Sequence, residues 1–210
     1  ALFDTSTRQL EIREYVNAIA TPNTTLVGKP YRRAFCEVRT TIEPEMDERW
    51  FGPYVVELIN NRTYWEDDAL TTFVSPTGTT AVATHTISAL GGSTAPIEDA
   101  LITVTGPITN PTLTCPETGS TLRHTGTVAA GQQWCVNTQT YQSAKGANIE
   151  SAIWAGNAAG TSVVPSTVYS GPHSPTMFPI AGSPSPQVQL AGSGAGTGTN
   201  LKIAARKKYH

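Results

Sequence analysis

Three adjacent acidic residues, Glu66, Asp67 and Asp68, are the groups in this chain that come nearest to a catalytic constellation. Two carboxylates can hydrolyse a glycosidic bond when one acts as an acid and the other as a base or nucleophile. Successive side chains of a strand point to opposite faces, so adjacent acids do not face one substrate together. We interpret the acidic run as a solvated strand end and predict no enzymatic activity from it.

The histidines and the glycine-rich loop carry no cofactor signal. No histidine stands at a metal-ligand spacing from a cysteine or an acid. The loop at residues 192–196 lacks both the glycine spacing of a dinucleotide site and the Lys-Ser/Thr of a phosphate loop. We therefore predict neither a metal nor a cofactor, and we interpret this loop as a connector within a final hairpin. The histidines in question are His85, His124, His173 and His210.

Cys115 and Cys135 lie on candidate strands that could be neighbours in a sheet. A disulfide would require their Cα atoms to come within about 7 Å. Three cysteines cannot form a complete disulfide framework, and buried free thiols are the usual state in a reducing cell. Free thiols are the prediction, and a bridge is the alternative.

Trp134, Tyr141 and Trp154 are the side chains that a carbohydrate site would use, because an aromatic face can stack on sugar C–H groups. Core packing is the preferred interpretation, since large aromatic side chains in β-sandwiches are mostly buried, and sugar binding is the alternative.

Length and charge distribution point to two domains. The 210 residues carry a formal net charge of −2, which gives no general attraction to nucleic acid or membranes. Charged residues are dense up to residue 73 and sparse from residue 74 to residue 200. No apolar run approaches the roughly 18 residues of a membrane helix, and the start lacks the pattern of a signal peptide. We predict domains at residues 1–73 and 95–210, with residues 74–94 as a linker or, preferably, a first strand.

The first part of the chain contains three predicted strands, at residues 9–20, 31–42 and 50–60. In the second of these, one side is small and apolar, while the other carries charges and two aromatic rings. This alternation is typical of a half-buried strand. The apolar content of residues 55–59 predicts burial on both faces of the third strand.

The stretch at residues 95–140 alternates short β-prone segments with turn signals. Gly106-Pro107 and Asn110-Pro111 interrupt the first segments, and Gly126 and Gly131 separate the later ones. Glycine adopts the positive φ angles that tight reversals need. The pattern predicts an antiparallel meander and an all-β fold.

The same residues resemble the galectin-like C-terminal domain of distal tail and minor tail proteins of long-tailed phages. The likeness covers most of residues 80–210 and is weaker before them. Many such domains carry an Asp in the strand after the second glycine turn, where this chain has Cys135-Val136-Asn137. The matching residues are Ala95-Pro96, residues 101–104, Gly106-Pro107, Asn110-Pro111, Gly119 and residues 126–131.

The resemblance implies a galectin-like antiparallel β-sandwich that follows a belt-like, ring-forming β domain. Its implied place is the tail tip of a virion assembled in the host cytoplasm, without membrane insertion. The implied partners are other copies in a ring, commonly a hexamer, with tail tube, tape measure and tail hub proteins and a host-surface glycan. Residues 1–73 are shorter than the usual first domain, so the chain is either a short member or begins upstream of Ala1.

Ring assembly needs a surface of mixed charge, and the first domain supplies one. A stand-alone carbohydrate-binding or adhesin module would need no such surface, and neither would the third alternative, an enzyme accessory domain. The predicted interface residues are Tyr31, Arg32, Arg33, Phe35, Glu45, Glu48 and Arg49.

Overall fold

The computed structural model describes residues 9–15, 31–41, 56–60, 64–78, 82–140, 142–150, 161–162, 167–170 and 180–210. Antiparallel strands dominate these ranges, so the all-β prediction is confirmed. The chain divides into two compact units, Ala1–Ala69 with Tyr209–His210 and Leu70–Lys208. No helix within the described ranges has the length and apolar character needed to span a membrane.

The first unit is built around one long strand. β2 pairs with β1 on one side and with β3 and β4 in succession on the other. Leu10 lies opposite Cys36 and Ile12 opposite Ala34, so the small apolar side of β2 faces an apolar side of β1. The strands are β1 (Gln9–Tyr15), β2 (Tyr31–Thr41), β3 (Val56–Asn60) and β4 (Trp65–Asp67), and Tyr209 adds the end of the chain beside β4.

Two expectations for this part of the chain are revised, and the spans of two predicted strands are described only in part. The first and third strands are described over Gln9–Tyr15 and Val56–Asn60, and the rest of their predicted spans lies outside the described residues. Burial on both faces of β3 is wrong at Ile59, which is 42% exposed. The division between units falls after Ala69 rather than after residue 73, because Thr71–Val74 pairs with a strand of the second unit.

The second unit contains two antiparallel sheets. One has the order β13-β12-β11-β7-β16-β5, and the other has the order β14-β9-β8-β15-β6 with β10 beside β8. Its elements are β5 (Thr71–Val74), β6 (Val82–Thr86), a 3₁₀ turn (Ser88–Leu90), β7 (Leu101–Thr105), β8 (Ile108–Cys115), β9 (Ser120–His124), β10 (Thr127–Val128), β11 (Gln133–Asn137), β12 (Gln142–Gly146), β13 (Thr161–Ser162), β14 (Thr167–Ser170), β15 (Gln187–Ser193) and β16 (Asn200–Ala205).

Two predicted turns are crossings between the sheets. Gly106-Pro107 leads from β7 in one sheet to β8 in the other, so residues 95–140 do not form a single meander. The predicted final hairpin is also wrong, because β15 pairs with β8 and β6 whereas β16 pairs with β7 and β5. Thr199 stabilises this second crossing, since its hydroxyl donates to the carbonyl oxygen of Pro107 at 2.7 Å.

A single apolar core lies between the two sheets and gives the unit its sandwich-like character. Strand alternation sends every second side chain of the central strands into this core. Burial of each Leu, Ile or Val side chain contributes about 1.5–3 kcal/mol. The fully buried members with the largest side chains include Trp134, Ile102, Ile108, Leu113, Leu122 and Ile180.

The three cysteines are free and buried. Cys115 lies on β8 within the core between the sheets, whereas Cys135 lies on β11 within a second apolar cluster that includes Leu101 and Ala144. β8 and β11 belong to different sheets, so the prediction that they are neighbouring strands is wrong. Burial raises the pKa of the Cys135 thiol to about 12, with the hydroxyl of Thr103 opposing this rise.

We expect all three thiols to resist alkylation in the native protein at pH 8. All three thiols are buried away from the reagent. Burial also raises the pKa of Cys36 and of Cys135, which keeps these two protonated, and the thiolate is the reactive form. After unfolding in denaturant without reductant, mass spectrometry should find three alkylated cysteines. Labelling of Cys115 and Cys135 that requires prior reduction would contradict this expectation.

Candidate functional site

The turn residues of the sequence pattern meet one another at one end of the second unit. The backbone N–H of Asn110 donates to the Gly126 carbonyl at 2.8 Å, and the Gly126 N–H donates to Asn110 Oδ1 at 2.9 Å. Asn110 has a φ of 50° and Gly126 a φ of 137°, conformations that these residue types tolerate. The Gly106 N–H donates to the Gln132 carbonyl at 3.0 Å. Asn110 is thus bonded to Gly126, and Gly106 is bonded to the residue that follows Gly131.

A buried ion pair joins β2 to β4 in the first unit. The antiparallel register places Arg33 opposite Glu66, and Arg33 Nε lies 2.8 Å from Glu66 Oε1. The Glu66 side chain is 3% exposed, so this carboxylate is not part of a solvated strand end as predicted. Asp68 lies 3.9 Å from the same guanidinium group. The acidic run therefore anchors β4 to β2.

Arg32 has a different set of contacts within the first unit. Its guanidinium carbon lies 3.7 Å from the centre of the Tyr209 ring, a distance typical of a cation–π contact. The Tyr209 hydroxyl lies 3.1 Å from Asp67 Oδ2, to which it donates. Burial raises the pKa of Tyr209, and the charge of Asp67 raises it further. The basic-aromatic tail is thus docked onto the sheet.

The opposite side of β2 carries partly exposed aromatic side chains. Tyr15 and Tyr31 are cross-strand partners with ring centres 5.5 Å apart, and the Arg13 guanidinium carbon lies 4.7 Å from the centre of the Tyr31 ring. A hydrogen bond to Asp68 raises the pKa of Tyr31, and desolvation adds to the rise. We define the aromatic face as Arg13, Tyr15, Tyr31, Phe35 and Ile59, which the strand registers place on one side of the sheet together with Glu11, Arg33 and Glu37.

The predicted interface residues divide between the two sides of β2. Tyr31, Arg33 and Phe35 share one side, where the Arg33 guanidinium carbon lies 5.2 Å from the centre of the Phe35 ring, whereas Arg32 lies on the other side against Tyr209. Sequence reasoning missed Arg13, Tyr15 and Ile59. The alternation of residues 9–15 places Arg13 and Tyr15 on one side of a strand, but only the register shows that this side adjoins Tyr31. Glu45, Glu48 and Arg49 lie outside the described residues.

The structure also bears on the three aromatic residues that were candidates for stacking on a sugar. Trp134 is 1% exposed, its ring lies 5.5 Å from the ring of His124, and its Nε1–H donates to Ser143 Oγ at 3.0 Å. It is a core residue whose faces are not available to a ligand. Tyr141 and Trp154 lie outside the described residues.

The described part of the chain contains no group of three or more His, Cys, Asp or Glu side chains that could hold a metal ion. Comparison with family models, curated proteins and solved structures finds no match for the chain. The functional interpretation therefore rests on the aromatic face, on the sandwich-like unit and on the resemblance of residues 95–140.

Proposed function

We propose that this chain is a structural protein of a phage tail tip that assembles into a ring. The ring joins the tail tube to the hub and to receptor-binding parts, and the protein has no enzymatic role. The observation that carries the proposal is the aromatic face of the first unit, which combines aromatic rings, an arginine and an exposed isoleucine on one sheet surface.

The composition of the aromatic face fits an assembly surface. Protein interfaces are enriched in Tyr, Phe and Arg at their centres and depleted of lysine and acidic residues there. Along the strands, Tyr15 and Tyr31 lie at one end of the face, Arg13 and Phe35 lie in the middle, and Ile59 lies at the other end. Glu11 and Glu37 lie on the same side, so the rings stand within a surface of mixed charge. A stable contact buries about 800 Å² per partner, so the ring requires neighbouring copies to cover most of this face.

The second unit supports the phage assignment through its turn residues. Gly106, Asn110, Gly126 and Gly131 carry the resemblance, and three of them bond to one another or to their immediate neighbours. An added Cβ at Gly106 would overlap the carbonyl oxygens of Val128 and Ala129. The backbone geometry therefore requires these turn residues. A protein that shares the fold of the phage domain is expected to carry such residues at the same positions.

In this proposal the first unit is the belt-like domain and the second is the galectin-like sandwich. The partners are other copies of the chain, together with tail tube, tape measure and hub proteins in the virion and a host-surface glycan. The alternative, a carbohydrate-binding or adhesin module, is weakened by the burial of Trp134.

Substitution at the aromatic face tests the proposal. Ile59→Glu should dissociate the ring into smaller species, because it places a second carboxylate beside Glu37 on a surface that the contact must bury. Leu70→Glu is the matched control, since Leu70 is 43% exposed and Ile59 is 42% exposed. Native mass spectrometry of both full-length variants measures the effect. Equal masses for the two variants would contradict the assignment of assembly to the aromatic face.

A further inference from the structure

The sheet of the first unit includes a residue that lies far from the rest of it in sequence. Tyr209 and His210 belong to this unit, although Leu70–Lys208 form the second unit. In the strand order, β4 lies between β2 and the segment that contains Tyr209. One of the two neighbours of β4 is therefore available only after the chain has been made through residue 209.

β4 is a short strand that gains support from both neighbours. It spans Trp65–Asp67, and within the described residues its register with β2 covers two positions. Short strand pairs are only marginally stable without further packing. Tyr209 adds such packing, because its hydroxyl donates to Asp67 Oδ2 at 3.1 Å. Docking of Tyr209 thus helps to hold β4 in the sheet.

The Tyr209 ring also lies against a buried positive group. Arg32 Nε is buried and has no hydrogen-bond acceptor among the described residues. The Arg32 guanidinium carbon lies 3.7 Å from the centre of the Tyr209 ring, so the electron-rich face of the ring offsets part of the charge. A buried donor without an acceptor is costly, and loss of the ring would raise that cost. β2 and β4 are therefore held by the same side chain.

β4 and the residue after it support side chains on the opposite side of the sheet. Glu66 Oε1 lies 2.8 Å from Arg33 Nε, and the Asp68 backbone N–H donates to the Tyr31 carbonyl oxygen at 3.1 Å. The Asp68 side chain also forms a hydrogen bond with Tyr31, which raises the pKa of this phenol. Tyr31 belongs to the aromatic face, and Arg33 shares its side of the sheet. A displacement of β4 would therefore disturb both side chains.

We propose that Tyr209 is a positioning residue for the aromatic face, so that a copy becomes competent to join the ring only when this residue is docked. Tyr209 does not lie on that face itself, because Arg32, which it contacts, lies on the other side of β2. It acts through β4, which holds Tyr31. The consequence for the ring rests on the proposed function, whereas the effect on β4 and Tyr31 does not.

Substitution of Tyr209 in the full-length protein tests the local effect. Tyr209→Leu keeps an apolar side chain but removes both the ring and the hydroxyl. In dilute solution, hydrogen exchange of the peptide that contains Asp68 should become at least about tenfold faster, because β4 is released more often. Carbon NMR of tyrosine-labelled protein should show the Tyr31 pKa falling towards its ordinary value, because the hydrogen bond with Asp68 is lost.

Two matched variants serve as controls. Tyr209→Phe retains the ring against Arg32 and should restore most of the exchange protection and most of the Tyr31 pKa shift. Lys207→Ala changes a half-buried residue of the same segment and should behave as the unmodified protein does. Circular dichroism checks that each variant is folded. Equal results for Tyr209→Leu and Lys207→Ala, or for Tyr209→Leu and Tyr209→Phe, would overturn the positioning role.

The oligomeric state separates this inference from the proposed function. Tyr209→Leu should raise the protein concentration needed for half-maximal ring assembly at least about tenfold, because fewer copies are competent to assemble. Native mass spectrometry across a dilution series measures this shift, and Tyr209→Phe should remain close to the unmodified protein. A ring that assembles normally with Tyr209→Leu would overturn the positioning role. An unchanged mass for Ile59→Glu would instead contradict the ring proposal, so the two failures are distinguishable.

Discussion

Trp134→Ala is expected to lower the free energy of unfolding of the second unit by about 3–5 kcal/mol. The substitution removes the largest fully buried side chain of the described core and leaves a cavity between the two sheets. It also removes the hydrogen-bond donor to Ser143 and the ring stacked on His124. Urea denaturation followed by far-ultraviolet circular dichroism measures the loss.

Trp134→Phe is the matched control for this experiment. Phenylalanine retains an aromatic ring beside His124 but cannot donate to Ser143, whose hydroxyl keeps its contact with Thr167 at 3.0 Å. We expect a smaller loss of about 1–3 kcal/mol. If Trp134→Ala changed stability by less than the phenylalanine variant, the side chain would not be the core residue described here.

Arg33→Met is expected to destabilise the first unit by about 3–5 kcal/mol. The variant leaves the Glu66 carboxylate buried without its guanidinium partner, and Asp68 adds a second negative charge nearby. The Arg33 side chain is mostly buried, so solvent screens this loss only weakly. Hydrogen exchange of the β2 backbone amides reports the stability of this unit separately from that of the second.

Two further variants control for the loss of charge. Arg13→Met removes an exposed ion pair with Glu11 and should leave the exchange rates nearly unchanged. The double variant Arg33→Met with Glu66→Leu should recover much of the stability, because no buried charge remains. Equal effects of Arg33→Met and Arg13→Met would show that the buried pair does not hold β4 to β2.

The local sequence pattern predicted where strands occur, but it did not predict which strands pair with one another. The alternation of residues 31–41 identified both the strand and its apolar side, because strand geometry alone decides which side chains share a face. Register depends on distant residues, and Arg33 and Glu66 are 33 positions apart. No local signal therefore distinguished an anchoring acid from a solvated strand end.

Turn signals in the sequence likewise predicted local structure but not the pairing of the strands that follow. Gly106-Pro107 and the loop before Thr199 mark reversals of the chain, but a turn residue does not specify which sheet the next strand joins. The two crossings were consequently predicted as connections within a meander and a hairpin. Trp134 was ambiguous for a related reason, since an aromatic residue in a strand has the same local pattern whether it faces a ligand or the core.

The native mass of the unmodified full-length protein tests the central claim most directly. Each chain has a mass of 22.3 kDa, and a closed ring gives one species at a fixed multiple of that mass. Six copies are expected from the family resemblance. A protein that remains monomeric at high concentration and in the presence of its tail partners would contradict the account.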